Sequence, residues 1–210
     1  SRDGDDPEAI VRRRLDMAVK TSYQEIRMSH CSWWEDFWQR SKVEIGGGEL
    51  EHLFYHSLYT LGSTYRRTPL PGLLGLFYGP DVGPVQISPW CGSLTQDLNV
   101  QCAFLPVHVL NHSELFDAYL DSYDEYLPEA RRLAREVWGA GGAQFGIALN
   151  SLGRPLDGGV GHYRYFFGGS YVALMHCLSW KYCRDIERLR NRIFPFLKEI
   201  LEFYMCIMAK

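Results

Sequence analysis

The chain has 210 residues, 46% of them hydrophobic and 22% charged, with a formal net charge of −3. That length fits one domain or a piece of a larger one, and the apolar fraction supports a packed core rather than disorder. There is no basic excess of the kind nucleic-acid binding needs, and no apolar run approaches the ~20 residues of a membrane-spanning helix.

Ser1 to Asp6 is polar and acidic, neither a signal peptide nor a membrane segment. Pro7 to Met28 reads as a helix, with Pro7 suited to its first turn and Asp5 or Asp6 as cap. In the Trp-rich stretch that follows, Trp34, Phe37 and Trp38 fall at i, i+3 and i+4 on one helical face. Val43 to Ile45 is a short extended piece before the turn at Gly46-Gly47-Gly48. Residues 1–45 are thus expected to form a linker helix and a Trp-rich lead-in, with the main domain running from 46 to 210.

Glu49 to Tyr65 predicts a helix, with Leu50, Leu53, Phe54, Leu58 and Leu61 on the 3.6-residue period. Thr68 to Pro89 is a proline- and glycine-rich loop, and loops of that length within compact domains are usually functional. Helix returns over Leu94 to Asn111, with Pro106 as an expected kink. Ser113 caps the next helix, whose stripe is Leu115, Phe116, Tyr119, Leu120 and Tyr123. Pro128 is read as opening a further helix that ends at Gly139. Gly139 to Phe167 is a second long glycine-rich stretch, and helices follow over Gly168 to Tyr182 and Ile193 to Met208. The fold class is therefore all-α: long helices alternate with long loops, and no fixed-period repeat appears.

Aromatic residues make up 14% of the chain, including six tryptophans. Core packing accounts for such residues in general, while sugar clefts also use flat aromatic faces; composition does not separate the two. The six cysteines form no C-x-x-C pair, which argues against a zinc ribbon and for buried free thiols on helices.

The densest polar cluster runs from Trp90 to Gln101. Asp97 and Asn99 are expected just inside a helix start, directly after the long loop, with Gln101 four residues from Asp97 on the same side. A helix start offers free N–H groups and a positive dipole end, which favours carboxylates and hydroxyls. Such residues can hold a sugar ring or a water. They can equally form a capping cluster, with Ser93 or Thr95 as cap and Asp97 in the first turn. His108 and His112 have zinc-like spacing but no evident third ligand, so no metal and no cofactor are expected. His52 and His56 share that spacing on a helix face. Asn111-His112-Ser113 matches a glycosylation sequon, a short pattern that arises easily by chance. No nucleophile elbow, phosphate loop or dinucleotide fingerprint is present.

Taken in order, the residues resemble the catalytic domain of family 95 glycoside hydrolases, the α-L-fucosidase and α-L-galactosidase group. The matching pieces are Trp34-x-x-Phe37-Trp38-x-x-Ser41, Tyr55-x-x-x-Tyr59, Pro71-Gly72-Leu73-x-Gly75, and Trp90 leading to Asp97-Leu98-Asn99-x-Gln101. Then come Asn111-x-Ser113-Glu114-Leu115, Gly168-Gly169-Ser170-Tyr171 and Phe194-Pro195-Phe196-Leu197-Lys198-Glu199. Their order and spacing carry the likeness from about Trp33 onward.

The resemblance implies part of an (α/α)6 barrel of helical hairpins, and an inverting, exo-acting glycosidase for an oligosaccharide or polysaccharide. A glutamic acid protonates the leaving oxygen while water attacks the opposite face of the sugar. An Asn-x-Asn pair and a later Asp position and activate that water. The pair maps onto Asp97 and Asn99, with Asp97 replacing the first Asn. Thr95 stands where the fucosidases carry a His, leaving room beside C6 of the sugar for galactose-like substrates. Trp90, Thr95, Gln101, Gln144 and His162 are expected at the sugar. The family's acid is expected beyond Lys210, so the chain is expected to be truncated and to lack full activity. Such enzymes are commonly bacterial and exported, so an extracellular or periplasmic place is the family expectation; oligomeric state is left open. A carbohydrate-binding relative without turnover and a helical interaction domain are the competing readings.

Overall fold

The computed structural model describes residues 6–66, 70–72, 92–156 and 164–209. The chain divides into two compact units, Ser1–Val43 and Glu44–Lys210.

The first unit holds α1 (Pro7–Lys20) and α2 (Tyr23–Gln39). The single helix expected over Pro7 to Met28 is broken at Thr21 and Ser22. Ser22 starts a new helix through a reciprocal capping box: its N–H donates to Glu25 Oε2 at 2.8 Å, and the Glu25 N–H donates to Ser22 Oγ at 3.2 Å. The aromatic face reads as expected, with Trp34 stacked on Trp38 at 5.4 Å and Trp33 on Phe37 at 5.0 Å.

Among its described residues, the regular structure of the second unit is helical apart from one two-residue strand pair. It contains α3 (Glu49–Thr64), β1 (Leu94–Thr95), α4 (Asn99–Val109), α5 (Phe116–Trp138), β2 (Ala148–Leu149), α6 (Gly168–Cys183), α7 (Ile186–Arg188) and α8 (Phe194–Met208). A single 3-10 turn precedes α5 and a π turn, Leu189–Ile193, precedes α8. Only the second half of the α3 stripe is covered: Leu58 and Leu61 are buried, whereas Leu50 and Leu53 are exposed. None of the described helices is long and apolar enough to cross a membrane.

Pro128 does not open a helix; it lies inside α5. An interior proline costs about 3 kcal/mol in an isolated helix. Here Tyr119, Tyr123, Tyr126, Ala130, Leu133 and Ala134 are buried along the same helix. Each large side chain so buried contributes about 1.5–3 kcal/mol, so burial outweighs the proline. Gly139 then ends the helix in the left-handed conformation, φ 57°.

A continuous file of rings forms the core and joins four elements. Phe104 of α4 meets Tyr119 of α5 at 5.1 Å, and Tyr119 meets Tyr123 at 4.4 Å. Tyr123 meets Phe145 at 5.3 Å, Phe145 stacks on Phe196 of α8 at 6.0 Å, and Phe196 stacks on His176 of α6 at 4.0 Å. Much of the aromatic content is therefore structural. The described cysteines are free and helical, but none is buried: Cys31, Cys102 and Cys177 are exposed, and Cys183 and Cys206 are partly so. A thiol is small enough to ride on an outward helix face at little cost, which composition does not reveal.

Candidate functional site

The polar cluster does not begin a helix at Leu94. Leu94 and Thr95 instead form β1, antiparallel to β2, with Leu94 opposite Leu149 and Thr95 opposite Ala148. The Gln96 N–H extends the pairing to the Ile147 carbonyl at 2.6 Å. Gln96 to Leu98 then turn, and α4 starts at Asn99.

That geometry places Asp97 in the turn and Asn99 at the first helical position, both exposed. No side chain caps α4, so the capping role open to Ser93, Thr95 and Asp97 is not taken up there. An exposed carboxylate beside the free N–H groups of a helix start is held by the dipole yet remains available to a ligand. Thr95 is buried, its hydroxyl 3.2 Å from that of Ser93. It backs the turn rather than facing solvent.

Gln101 and Gln144, expected at the sugar, are both fully buried. Gln101 Nε2 donates to the Gln96 carbonyl at 2.9 Å. Gln144 Nε2 donates to the Tyr165 carbonyl and to the Phe166 carbonyl, the latter at 2.9 Å. Their amide N–H groups go to backbone carbonyls, because peptide groups in two long loops need partners that no regular ladder supplies. Trp90 and His162 lie outside the described residues.

The segment that follows the first loop meets the second glycine-rich stretch here. β1 pairs with β2, and Gln144, four residues before β2, fastens the segment carrying Tyr165. Sequence reasoning missed Tyr165. Burial pushes its phenol up from the usual tyrosine value, and the negative charge of Asp97 adds to the effect, so the two side chains share one electrostatic neighbourhood. The signal was the aromatic run Tyr163-Arg164-Tyr165-Phe166-Phe167 closing the stretch. Phe167 is exposed, and its ring lies 6.2 Å from that of Tyr165.

The paired histidines turn apart. His108 Nδ1 is bonded to Ser113 Oγ at 2.9 Å and its ring stacks on Tyr182, while His112 Nδ1 is bonded to Glu114 Oε1 at 3.0 Å. Among the described residues no group of three His, Cys, Asp or Glu side chains is arranged to hold a metal. An open groove of about 860 Å³ runs along α8, lined by Arg131, Lys198, Glu202 and Met205 among others, and none of the candidate residues borders it.

No curated protein matches the chain. Residues 48–210, more than half of the chain, match the family described as the glycosyl hydrolase family 95 catalytic domain, and an all-α fold agrees with that match. The chain belongs to glycosyl hydrolase family 95 and is a glycosidase.

Proposed function

We propose that Asp97 and Asn99 handle the attacking water of an inverting, exo-acting glycosidase for α-L-fucosyl or α-L-galactosyl glycans. The observation that carries this reading is the exposed Asp97–Asn99 pair at an uncapped helix start. Asp97 accepts a proton from water, the water oxygen bonds to the anomeric carbon, and the glycosidic C–O bond breaks on the opposite face. The leaving oxygen takes its proton from a carboxylic acid that none of the residues above supplies. Asn99 orients the water, and Tyr165, whose phenol feels the Asp97 charge, borders the sugar. Gln101 and Gln144 act through the loops they hold. Trp90 and His162 remain proposed sugar contacts.

The small side chain of Thr95, where the fucosidases carry a His, supports a galactose-like preference. Release of L-fucose far faster than L-galactose from matched aryl glycosides would overturn that part. For the mechanism, Asp97→Asn in the full-length protein is expected to lower kcat about 100-fold or more, the usual contribution of a positioned base. An unchanged rate removes Asp97 from the proton-accepting role. NMR of the first-formed sugar anomer tests inversion directly.

A further inference from the structure

We infer that Gln96 is a positioning residue, and that its buried bonds to Tyr123, Gln101 and Ile147 fix the direction of the Asp97 carboxylate. The inference rests on the water-handling role proposed for Asp97.

Gln96 is fully buried although it immediately precedes an exposed residue. All four of its hydrogen-bonding groups are used. Its backbone N–H donates to the Ile147 carbonyl at 2.6 Å, and its side-chain Nε2 donates to the Leu94 carbonyl at 3.2 Å. Its Oε1 accepts from the Tyr123 hydroxyl, and its backbone carbonyl accepts from Gln101 Nε2 at 2.9 Å. That last carbonyl belongs to the peptide plane joining Gln96 to Asp97. Holding it fixes the plane from which the Asp97 side chain departs.

The anchors are rigid. Tyr123 is fully buried on α5 between Tyr119 at 4.4 Å and Phe145 at 5.3 Å. Gln101 lies on α4, two residues beyond Asn99, so its bond back to Gln96 ties the Asn99 helix to the Asp97 turn. One lock thereby sets both members of the pair. A reacting group misplaced by about 1 Å can lose about 100-fold in rate without any loss of binding. The lock therefore acts on kcat rather than on KM.

The experiment compares Tyr123→Phe, Gln96→Met and Gln101→Met with Asp97→Asn and the control Ser122→Ala in the full-length protein. The substrate is the aryl α-L-fucoside or α-L-galactoside that the wild type turns over. Ser122 is an equally buried residue of α5 that is not bonded to the turn. Tyr123→Phe keeps the ring and its packing, so it retains the fold where bulkier changes fail. The expected result is a kcat lowered about 10- to 100-fold with KM within about twofold, in Tyr123→Phe and in each folded glutamine variant. Ser122→Ala should keep the wild-type kcat. The double variant Tyr123→Phe/Gln96→Met should be no slower than the worse single one, because the bond that Tyr123→Phe removes is already absent in Gln96→Met. Folded lock variants with wild-type kcat, alongside a damaged Asp97→Asn, overturn the lock alone. A harmless Asp97→Asn overturns proton acceptance by the Asp97 carboxylate, and with it a lock that aims that carboxylate. Losses that Ser122→Ala shares overturn the lock in favour of general loosening.

Discussion

Gln144 joins Phe166 and Gly169: its Nε2 donates to the Phe166 carbonyl at 2.9 Å, and its Oε1 accepts from the Gly169 N–H at 3.3 Å. One buried side chain thus closes the second glycine-rich stretch onto the first turn of α6. Gln144→Met keeps the volume and deletes the bonds. Each buried peptide group left unpaired costs about 1–3 kcal/mol. The Tyr204 hydroxyl also donates to the Phe166 carbonyl at 2.7 Å, so that group stays satisfied; the Tyr165 carbonyl and the Gly169 N–H lose their partner, and the expected loss is about 2–6 kcal/mol in all. Urea unfolding measures it. A change under about 0.5 kcal/mol, within the usual range for a surface substitution, would mean that water replaces the amide.

The helices and the aromatic core were legible because their periods are local. Leu115, Phe116, Tyr119, Leu120 and Tyr123 read as one stripe, and all five are buried. Pro128 misled because propensity is local while the burial that overrides it is not. The break at Ser22 was present as Ser22-x-x-Glu25, a capping box set inside an otherwise continuous helical pattern. β1 and β2 are too short to show a period, so the start of α4 was misplaced. Asp97 and Asn99 were singled out by the polar cluster and by motif order. Gln96 was passed over because its role lies in partners 27 and about 50 residues away, Tyr123 and Ile147.

Gly142 is required where the loop crosses α8. Its φ is +73°, and an added Cβ would lie 2.2 Å from the Glu199 carbonyl oxygen and 2.5 Å from the Phe203 nitrogen. Both are backbone atoms of a helix and have no freedom to move aside. Gly142→Ala combines left-handed strain of about 1–2 kcal/mol with overpacking of about 1–3 kcal/mol. Gly47 is the matched comparison: its φ is +78° with nothing within 4 Å of an added Cβ. Gly47→Ala should therefore show the strain alone. Denaturation midpoints should fall clearly further for Gly142→Ala, and equal shifts would deny the close approach.

His176 predicts a pH dependence of stability. Its ring is fully buried, Nδ1 donates to the Val172 carbonyl at 2.9 Å, and Nε2 has no hydrogen-bond partner among the described residues. Burial holds its pKa down to about 4. The unfolded chain takes up this proton near pH 6.5, the folded chain only near 4, so between them the unfolded state binds more protons. Stability from this group is therefore full above about pH 6.5 and falls as pH drops toward 4, by about 3 kcal/mol across the window. His176→Gln should flatten that slope in melting curves taken from pH 7 to 4. An unchanged slope would assign the acid sensitivity to the carboxylates.

The π turn before α8 sets up the last prediction. Arg192 Nε reaches Asp124 Oδ2 at 2.6 Å and Nη2 reaches Asp121 Oδ1 at 2.7 Å, while neighbouring Arg188 Nη1 reaches Asp117 Oδ1 at 2.9 Å. The three aspartates lie at i, i+4 and i+7 of α5 and present one acidic face. Burial pushes the Asp117 and Asp124 carboxyls up, and the arginines act against that rise. Arg192 is one-quarter exposed, placing the pair between surface bridges, worth about 0.2–1 kcal/mol, and buried ones, which cost about 3–5 kcal/mol to break. Arg192→Met should lower stability by about 1–2 kcal/mol, less in 1 M salt. A double-mutant cycle with Asp124→Asn should return a coupling of about 1 kcal/mol. Coupling below about 0.3 kcal/mol, the limit of additivity, would show that the extra π-turn residue is kept for its packing of Ile193 and not for these ion pairs.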